Sequence, residues 1–333
     1  MVNVTEMSRS GAVLQVSGAS KAYRYGKYPV PALNAVSFAV APGEFVALFG
    51  QNGAGKSTLL RSIVGLQPLD SGEISIEGIA VGDLRRRFKP RVGFVGQERS
   101  LMSAVTVQEE LEFQGRAYGL SRHESQQSAT GCAAIMGIED LLGRDAIQLS
   151  GGQRRPVEIA LALIHSPSLL ILDEPTVGLD PGTREALWSL LESIQRDLGT
   201  TVLMSTHYLD EAASLISRVI IMDYGRTLAD GTPQEVLRNH ATNTCQLVLS
   251  SPVAADVSLA VRRLIAIAGA VEVDAVDVVG TGIMIRDPDP EVVVARIAGK
   301  LGELNLELER IEIHRGTMQD AFFSITGRKL PLD

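Results

Sequence analysis

The sequence is short of cysteine, of positive charge and of long apolar runs, and each shortage excludes something. Its two cysteines, Cys132 and Cys245, stand far apart, with no CxxC or histidine-pair context. They support neither a disulfide framework nor a zinc site, and they fit a reducing compartment. A formal charge of −8 leaves few clustered cations to neutralise a phosphate backbone, so no nucleic-acid partner is expected. The local exception is "RRRFKPR" (85–91), five cations in seven residues, which reads as a solvated face beside a turn rather than a polyanion site. No apolar run approaches the ~20 residues that span a bilayer. "LAVRRLIAIAGAVEV" carries two arginines, and "RVIIMDYG" is strand-length. The start, "MVNVTEMSRSGAVLQVSG", lacks a basic stretch followed by an apolar run, so no signal peptide is read there. The chain is expected to be soluble by itself.

What is present is an α/β pattern. The 333 residues are 45% hydrophobic and 21% charged, with 32 glycines, enough for one large domain or two. Short β-type runs over 12–50 end in "EFVALF", which feeds a glycine loop and then the helically spaced "KSTLLRSIVGL". "SGEISIEG" and "RVGFVGQ" read as strands, 104–165 as mainly helical, and "SLLILDEP" and "TTVLMSTH" as buried strands followed by helices. That alternation predicts a parallel sheet flanked by helices. Near 240 the texture changes: "CQLVLS", "AVEVDAV", "GIMIRD" and "LERIEIH" alternate with helical stretches in a βαββαβ order. This predicts a small ferredoxin-like α+β domain over 241–333, after a first domain over 1–240.

The chemistry-bearing segments are specific. "GQNGAGKST" satisfies GxxxxGK[ST], with a strand before it and a helix after it. Gly53 and Gly55 allow backbone angles that let successive N–H groups converge on phosphate oxygens, and the helix start adds positive partial charge. Lys56 is placed to reach the outer phosphates and Ser57 to bind Mg²⁺. "LLILDEP" puts Asp173 at the carboxyl end of a buried strand, where an oxygen ligand suits a hard cation. Glu174, one residue on, is the candidate to polarise a water for attack on a γ-phosphate. "LSGGQ" (149–153) then supplies a second anion-binding helix start, with Ser150 as N-cap. One nucleotide already has its cradle, so this one is expected to serve a nucleotide held by a second copy of the chain.

These motifs, in order with Gln97 in "VGFVGQE", "GLD" (178–180) and His207 in "MSTH", resemble the ATP-binding subunits of ABC transporters across roughly residues 12–240. The resemblance implies a P-loop NTPase core with antiparallel β and helical subdomains, binding ATP and Mg²⁺. It implies that Gly50, Asn52, Gly53, Ala54, Gly55, Lys56, Ser57 and Thr58 hold the phosphates. Ser150, Gly151, Gly152 and Gln153 would contact the nucleotide of the facing copy, and Asp180 would bridge the two copies. Tyr23 in "SKAYRYG" resembles the aromatic that stacks on adenine, with Tyr25 as the other candidate. Gln97 resembles the glutamine that senses Mg²⁺ and the γ-phosphate, and His207 the switch histidine. Asp173, Ser57 and Gln97 would form the metal set, and Glu174, His207 and Gln97 the catalytic set.

"TVGLDP", "STHYLDEA", "LEFQGRAYGL" and "TMQDAFFSITGRKL" further resemble the daunorubicin-resistance type of exporter ATPase. The implied partners are a second copy, head to tail, and a separate transmembrane permease that holds the pair at the cytoplasmic face of the membrane. The segment after Gln97, with Leu101 and Met102, is the expected permease-facing groove. A soluble ABC ATPase without a transport role stays open as the alternative, as does a membrane-tethered complex that does not export drugs. Two departures stand out: Pro156 lies inside the expected helix after "LSGGQRR", where it removes a backbone donor and is expected to cost ~3 kcal/mol or kink the helix, and Leu161 stands where family members often have arginine, a change expected to alter only packing.

Overall fold

The computed structural model describes residues 11–26, 28–83, 91–97, 101–102, 105–207, 215–241, 243–253, 258–269, 271, 276–287, 289–301 and 307–327. The basic stretch before Arg91, residues 208–212 of "STHYLDEA", the Tyr25 side chain and parts of the segment after Gln97 lie outside them. The chain divides into two compact units, Met1–Pro233 and Gln234–Asp333.

Among the described residues, the first unit holds two sheets. Strands β1 (Leu14–Tyr25), β2 (Tyr28–Val40), β4 (Ser71–Ile76) and β5 (Ile79–Ala80) form an antiparallel sheet in the order β2-β1-β4-β5. Pro29 and Pro31 sit in β2, an edge strand, where a missing N–H costs no ladder bond. The second sheet is built from β3 (Phe45–Phe49), β6 (Val92–Val95), β7 (Leu169–Asp173), β8 (Thr201–Thr206), β9 (Arg218–Asp223) and β10 (Arg226–Gly231), ordered β10-β9-β3-β8-β7-β6. All neighbours in it are parallel except β10 at the edge. Strands β3, β7 and β8 are buried at every position, which is why they read as unbroken apolar runs rather than alternating ones.

Among the described residues, the α-helices of this unit are α1 (Lys56–Ile63), α2 (Val107–Ala117), α3 (Arg122–Met136), α4 (Gly151–Leu163) and α5 (Pro181–Leu198). Thr106, Ser121 and Ser150 each cap a helix and close a capping box with Glu109, Glu124 and Gln153. Asp180 caps α5, with Pro181 at its first position. Helix α4 runs through Pro156 without a break. The proline does not interrupt it: Val157 to Leu163, the part that follows, are all buried, and that packing holds the helix together past the proline.

The second unit contains α6 (Pro233–His240), then β11 (Thr244–Leu249), α7 (Ser258–Gly269), β12 (Val276–Val279), β13 (Gly282–Arg286), α8 (Pro290–Leu301), β14 (Leu308–His314) and α9 (Met318–Thr326). The sheet order β12-β13-β11-β14, antiparallel throughout, is the split βαβ arrangement of a ferredoxin-like fold. Cys245, Leu247, Ile283 and Ile285 of the sheet pack with Val261, Ile265, Val293 and Ile297 of the two crossing helices. Cys245 is thus a core residue, and burial pushes its thiol up to about 11. Most of the strand read at "AVEVDAV" (270–276) lies outside the described residues; Val276, its last residue, opens β12.

Candidate functional site

Strand register assembles the site. Phe49 of β3 pairs with Thr206 of β8, Ser205 with Asp173 of β7, and Leu172 with Val95 of β6. Gly50, Glu174, His207 and the Gly96–Gln97 turn therefore leave the sheet together at its carboxyl edge, the edge where open α/β sheets bind ligands.

The loop between β3 and α1 needs its glycines for two different reasons. Gly53 has φ +84°, with open space where a Cβ would stand. Gly55, the cap of α1, has φ +101°, and a Cβ there would lie 2.3 Å from the Ala32 carbonyl oxygen. Ala54 is buried, and its carbonyl accepts the Gly225 N–H at 2.9 Å, tying the loop to the β9–β10 turn. Lys56 is buried and donates to the carbonyls of Gly50 at 2.6 Å and Gln51 at 3.1 Å. Its Nζ lies 3.6 Å from Glu174 Oε1. Burial lowers the Lys56 pKa from the usual lysine range, and the nearby Glu174 and Asp173 carboxylates partly offset this. Asn52, Gly53, Gly55, Lys56, Ser57, Thr58, Gln97 and Glu174, with Ala32 and Gln51, line a cleft of about 370 Å³.

Asp173 is 1% exposed. Its Oδ1 accepts from Ser57 Oγ at 3.0 Å and Ser205 Oγ at 2.7 Å, while Oδ2 is buried with no hydrogen-bond partner. A carboxyl oxygen is not left unsatisfied in a core without cost, and beside a serine hydroxyl it is the donor set a hard divalent cation takes. The residues fit Mg²⁺. Glu174 holds φ +49°, and its Oε2 lies 3.8 Å from His207 Nδ1.

The other expected residues fall elsewhere. Ser150 Oγ accepts the Gln153 N–H at 3.3 Å, Gln153 Oε1 accepts the Ser150 N–H at 3.1 Å, and Ser150 and Gly151 are exposed. Gly152 lies against Thr183 of α5, whose hydroxyl donates to Asp180 Oδ2 at 2.6 Å. The Thr183 hydroxyl and N–H hold the exposed Asp180 carboxyl below the usual range. None of these residues lines the cleft, and neither does Tyr23, which is 42% exposed on β1. Met102 is exposed and Leu101 half-buried, so Leu101 offers less apolar surface than expected.

Residues 33–177 match the ABC transporter family model. The chain is 32% identical to the Nod factor export ATP-binding protein I of Sinorhizobium fredii, across 98% of this chain and 90% of that protein. It is also 32% identical to the linearmycin resistance ATP-binding protein LnrL of Bacillus subtilis, across 96% and 99%. The chain belongs to the ABC transporter family. It is an ATP-binding subunit and an ATPase. Among solved structures, it is similar to the ATP-binding cassette MJ0796, solved as a dimer in a post-hydrolysis state with ADP and Pi. The TM-score is 0.60 at 30% identity, covering 66% of this chain and 98% of that one. CbiO1 from Clostridium perfringens, part of the cbiONQ transporter complex, gives 0.62 at 31% identity over 68% and 91%.

Two residues of this ABC ATPase escaped the sequence reading. Ser205 joins Asp173 to Glu174, since it also accepts the Glu174 N–H at 2.9 Å. The β7–β8 register, Asp173 opposite Ser205, was the signal that would have found it. Arg155 reaches the carbonyls of Glu174 and Pro175 from α4, and nothing in its local sequence announces that reach.

Proposed function

We propose that two copies of this chain close head to tail around two Mg·ATP and power a separate permease that moves its cargo out of the cell. The observation that carries the pairing is the Ser150–Gln153 helix start. It is a capped helix N-terminus with Ser150 and Gly151 exposed, an end that favours anions, and it does not line the cleft that holds the phosphate loop of its own chain. A second copy gives it a nucleotide to bind. Relatives named for Nod factor export and linearmycin resistance support export as the outcome. Among the described residues no helix is long and apolar enough to cross a membrane, so a membrane step needs a partner that does.

In this reading Lys56 exchanges the carbonyls of Gly50 and Gln51 for the outer phosphates. Ser57, Asp173 and Gln97 would hold the metal, which when bound would supply positive charge against the outer phosphates. Glu174 accepts a proton from the attacking water as the γ-phosphoryl group passes to it, leaving ADP and phosphate. His207, beside Glu174, contacts the γ-phosphate, and Ser150 and Gly152 of the facing copy complete its surround. Tyr23 stacks on adenine and Asp180 bridges the copies at the cytoplasmic face of the membrane.

The test is the full chain carrying Glu174→Gln, mixed with Mg·ATP and sized in solution. A stable ATP-filled dimer with little turnover is expected. A monomer with ATP bound would overturn the pairing, and brisk turnover would remove Glu174 from its role. Copurification with a membrane protein of several spans tests the export arm, and a complex with soluble proteins alone would refute it.

A further inference from the structure

The site leaves the largely enclosed cation Arg155 without a role. The Arg155 side chain is 11% exposed, one turn into α4, and every edge of its guanidinium is engaged. Nε donates to the Pro175 carbonyl at 2.9 Å and Nη2 to the Glu174 carbonyl at 3.2 Å. Nη1 donates to the Gly96 carbonyl at 3.1 Å and to Glu158 Oε2 at 2.9 Å. The three carbonyls belong to the two segments that carry Glu174 and Gln97. Arg155 also lines, with Asn52, Gln97, Glu174 and Val177, a space of about 290 Å³ next to the phosphate loop.

Glu174 needs such a hold. Its φ of +49° lies in the left-handed region that residues other than glycine resist, and such strain persists only where the surroundings over-determine it. Ser205 fixes the N–H side of the Glu174 residue, and Arg155 fixes the carbonyl side. A planar guanidinium can address three carbonyls and a carboxylate in one fixed fork, whereas an ammonium presents three donors from a single point.

We propose that Arg155 is a positioning residue for ATP hydrolysis, a clamp anchored on α4 that holds Glu174 in its left-handed conformation and fixes the Gly96–Gln97 turn beside it. Its donors go to three backbone carbonyls and Glu158, so it acts through the backbone of Glu174. Because Ser150 caps α4, one side chain joins that helix start to the base. The inference rests on Glu174 being the base, and the experiment separates the two.

Turnover, Mg·ATP affinity and melting are measured on the full chain carrying Arg155→Lys, Glu158→Gln or Glu174→Gln. Arg155→Lys is expected to lower kcat at least about tenfold while Kd for Mg·ATP stays within about threefold. Glu158→Gln keeps an oxygen for Nη1 and leaves the carbonyl clamp in place, so its turnover stays within about threefold of the parent. Parental turnover in Arg155→Lys overturns the clamp. So does a loss of ATP affinity that matches the loss of kcat, which includes a variant too unfolded to bind, and so does an equal loss in Glu158→Gln. Brisk turnover in Glu174→Gln sinks the base assignment and the clamp together. A slow Glu174→Gln beside a brisk Arg155→Lys sinks the clamp alone.

Discussion

Ser205 Oγ donates to Asp173 Oδ1 at 2.7 Å and, with the same oxygen, accepts the Glu174 N–H at 2.9 Å. One buried hydroxyl thus fixes the orientation of the metal-ligand candidate and the backbone of the base candidate. Ser205→Ala strands a buried N–H and removes one of the two partners of Asp173. The expected cost is about 1–3 kcal/mol in a denaturant titration, with turnover requiring more Mg²⁺ than in the parent. An unchanged stability and an unchanged Mg²⁺ requirement would show that a different group holds Asp173.

How much of this was legible depended on the range of the interaction. The loop from Gly50 to Thr58 and the acids at 173 and 174 follow from strand-then-turn patterning, because their chemistry lies within a few residues of one another. The ferredoxin-like order of the second unit was legible for the same reason: each element declares its own period. The site's cross-links were not. Arg155 contacts Gly96 across 59 residues and Glu174 across 19, through a guanidinium whose sequence neighbours say only that it is helical. The Glu174 angle was equally hidden, since glutamate is not a residue that announces a positive φ.

The phosphate loop separates two causes of glycine dependence. Gly53→Ala meets only the backbone strain of φ +84°, about 1–3 kcal/mol, because its Cβ would enter open space. Gly55→Ala adds a Cβ 2.3 Å from the Ala32 oxygen, a clash that only backbone movement relieves. Gly55→Ala is therefore expected to be the less stable of the two and to lose ATP affinity as α1 shifts. Equal melting temperatures for the pair would contradict this.

Glu110 links stability to pH. It is 3% exposed on α2, with Oε1 accepting the Met102 N–H at 2.9 Å and Oε2 unpartnered. Burial raises its pKa above the ordinary 4.5; the Met102 N–H works against this, and Glu158 adds to it. The folded chain thus keeps this proton to higher pH than the unfolded chain does. The resulting stabilisation is complete below pH 4.5 and is lost as pH rises through the folded value. Glu110→Gln removes the titration, so it should be more stable than the parent at pH 7, with the advantage shrinking as pH falls toward 4.5. Urea midpoints at the two ends of that window decide it, and an advantage that grows on acidification reverses the sign.

Pro156 sits in the interior of α4, and the helix nevertheless continues from Gly151 to Leu163. A proline there supplies no N–H to the carbonyl four residues back, that of Gly152, and its ring crowds the preceding turn. The intrinsic penalty is about 3 kcal/mol relative to alanine, and the buried run from Val157 to Leu163 holds the helix against it. Pro156→Ala restores the donor without adding bulk, so the melting temperature should rise. Affinity of the single chain for Mg·ATP should stay as it is, because the phosphate loop lies on another segment. A lower melting temperature would mean that the ring contributes more by packing than it costs in the helix.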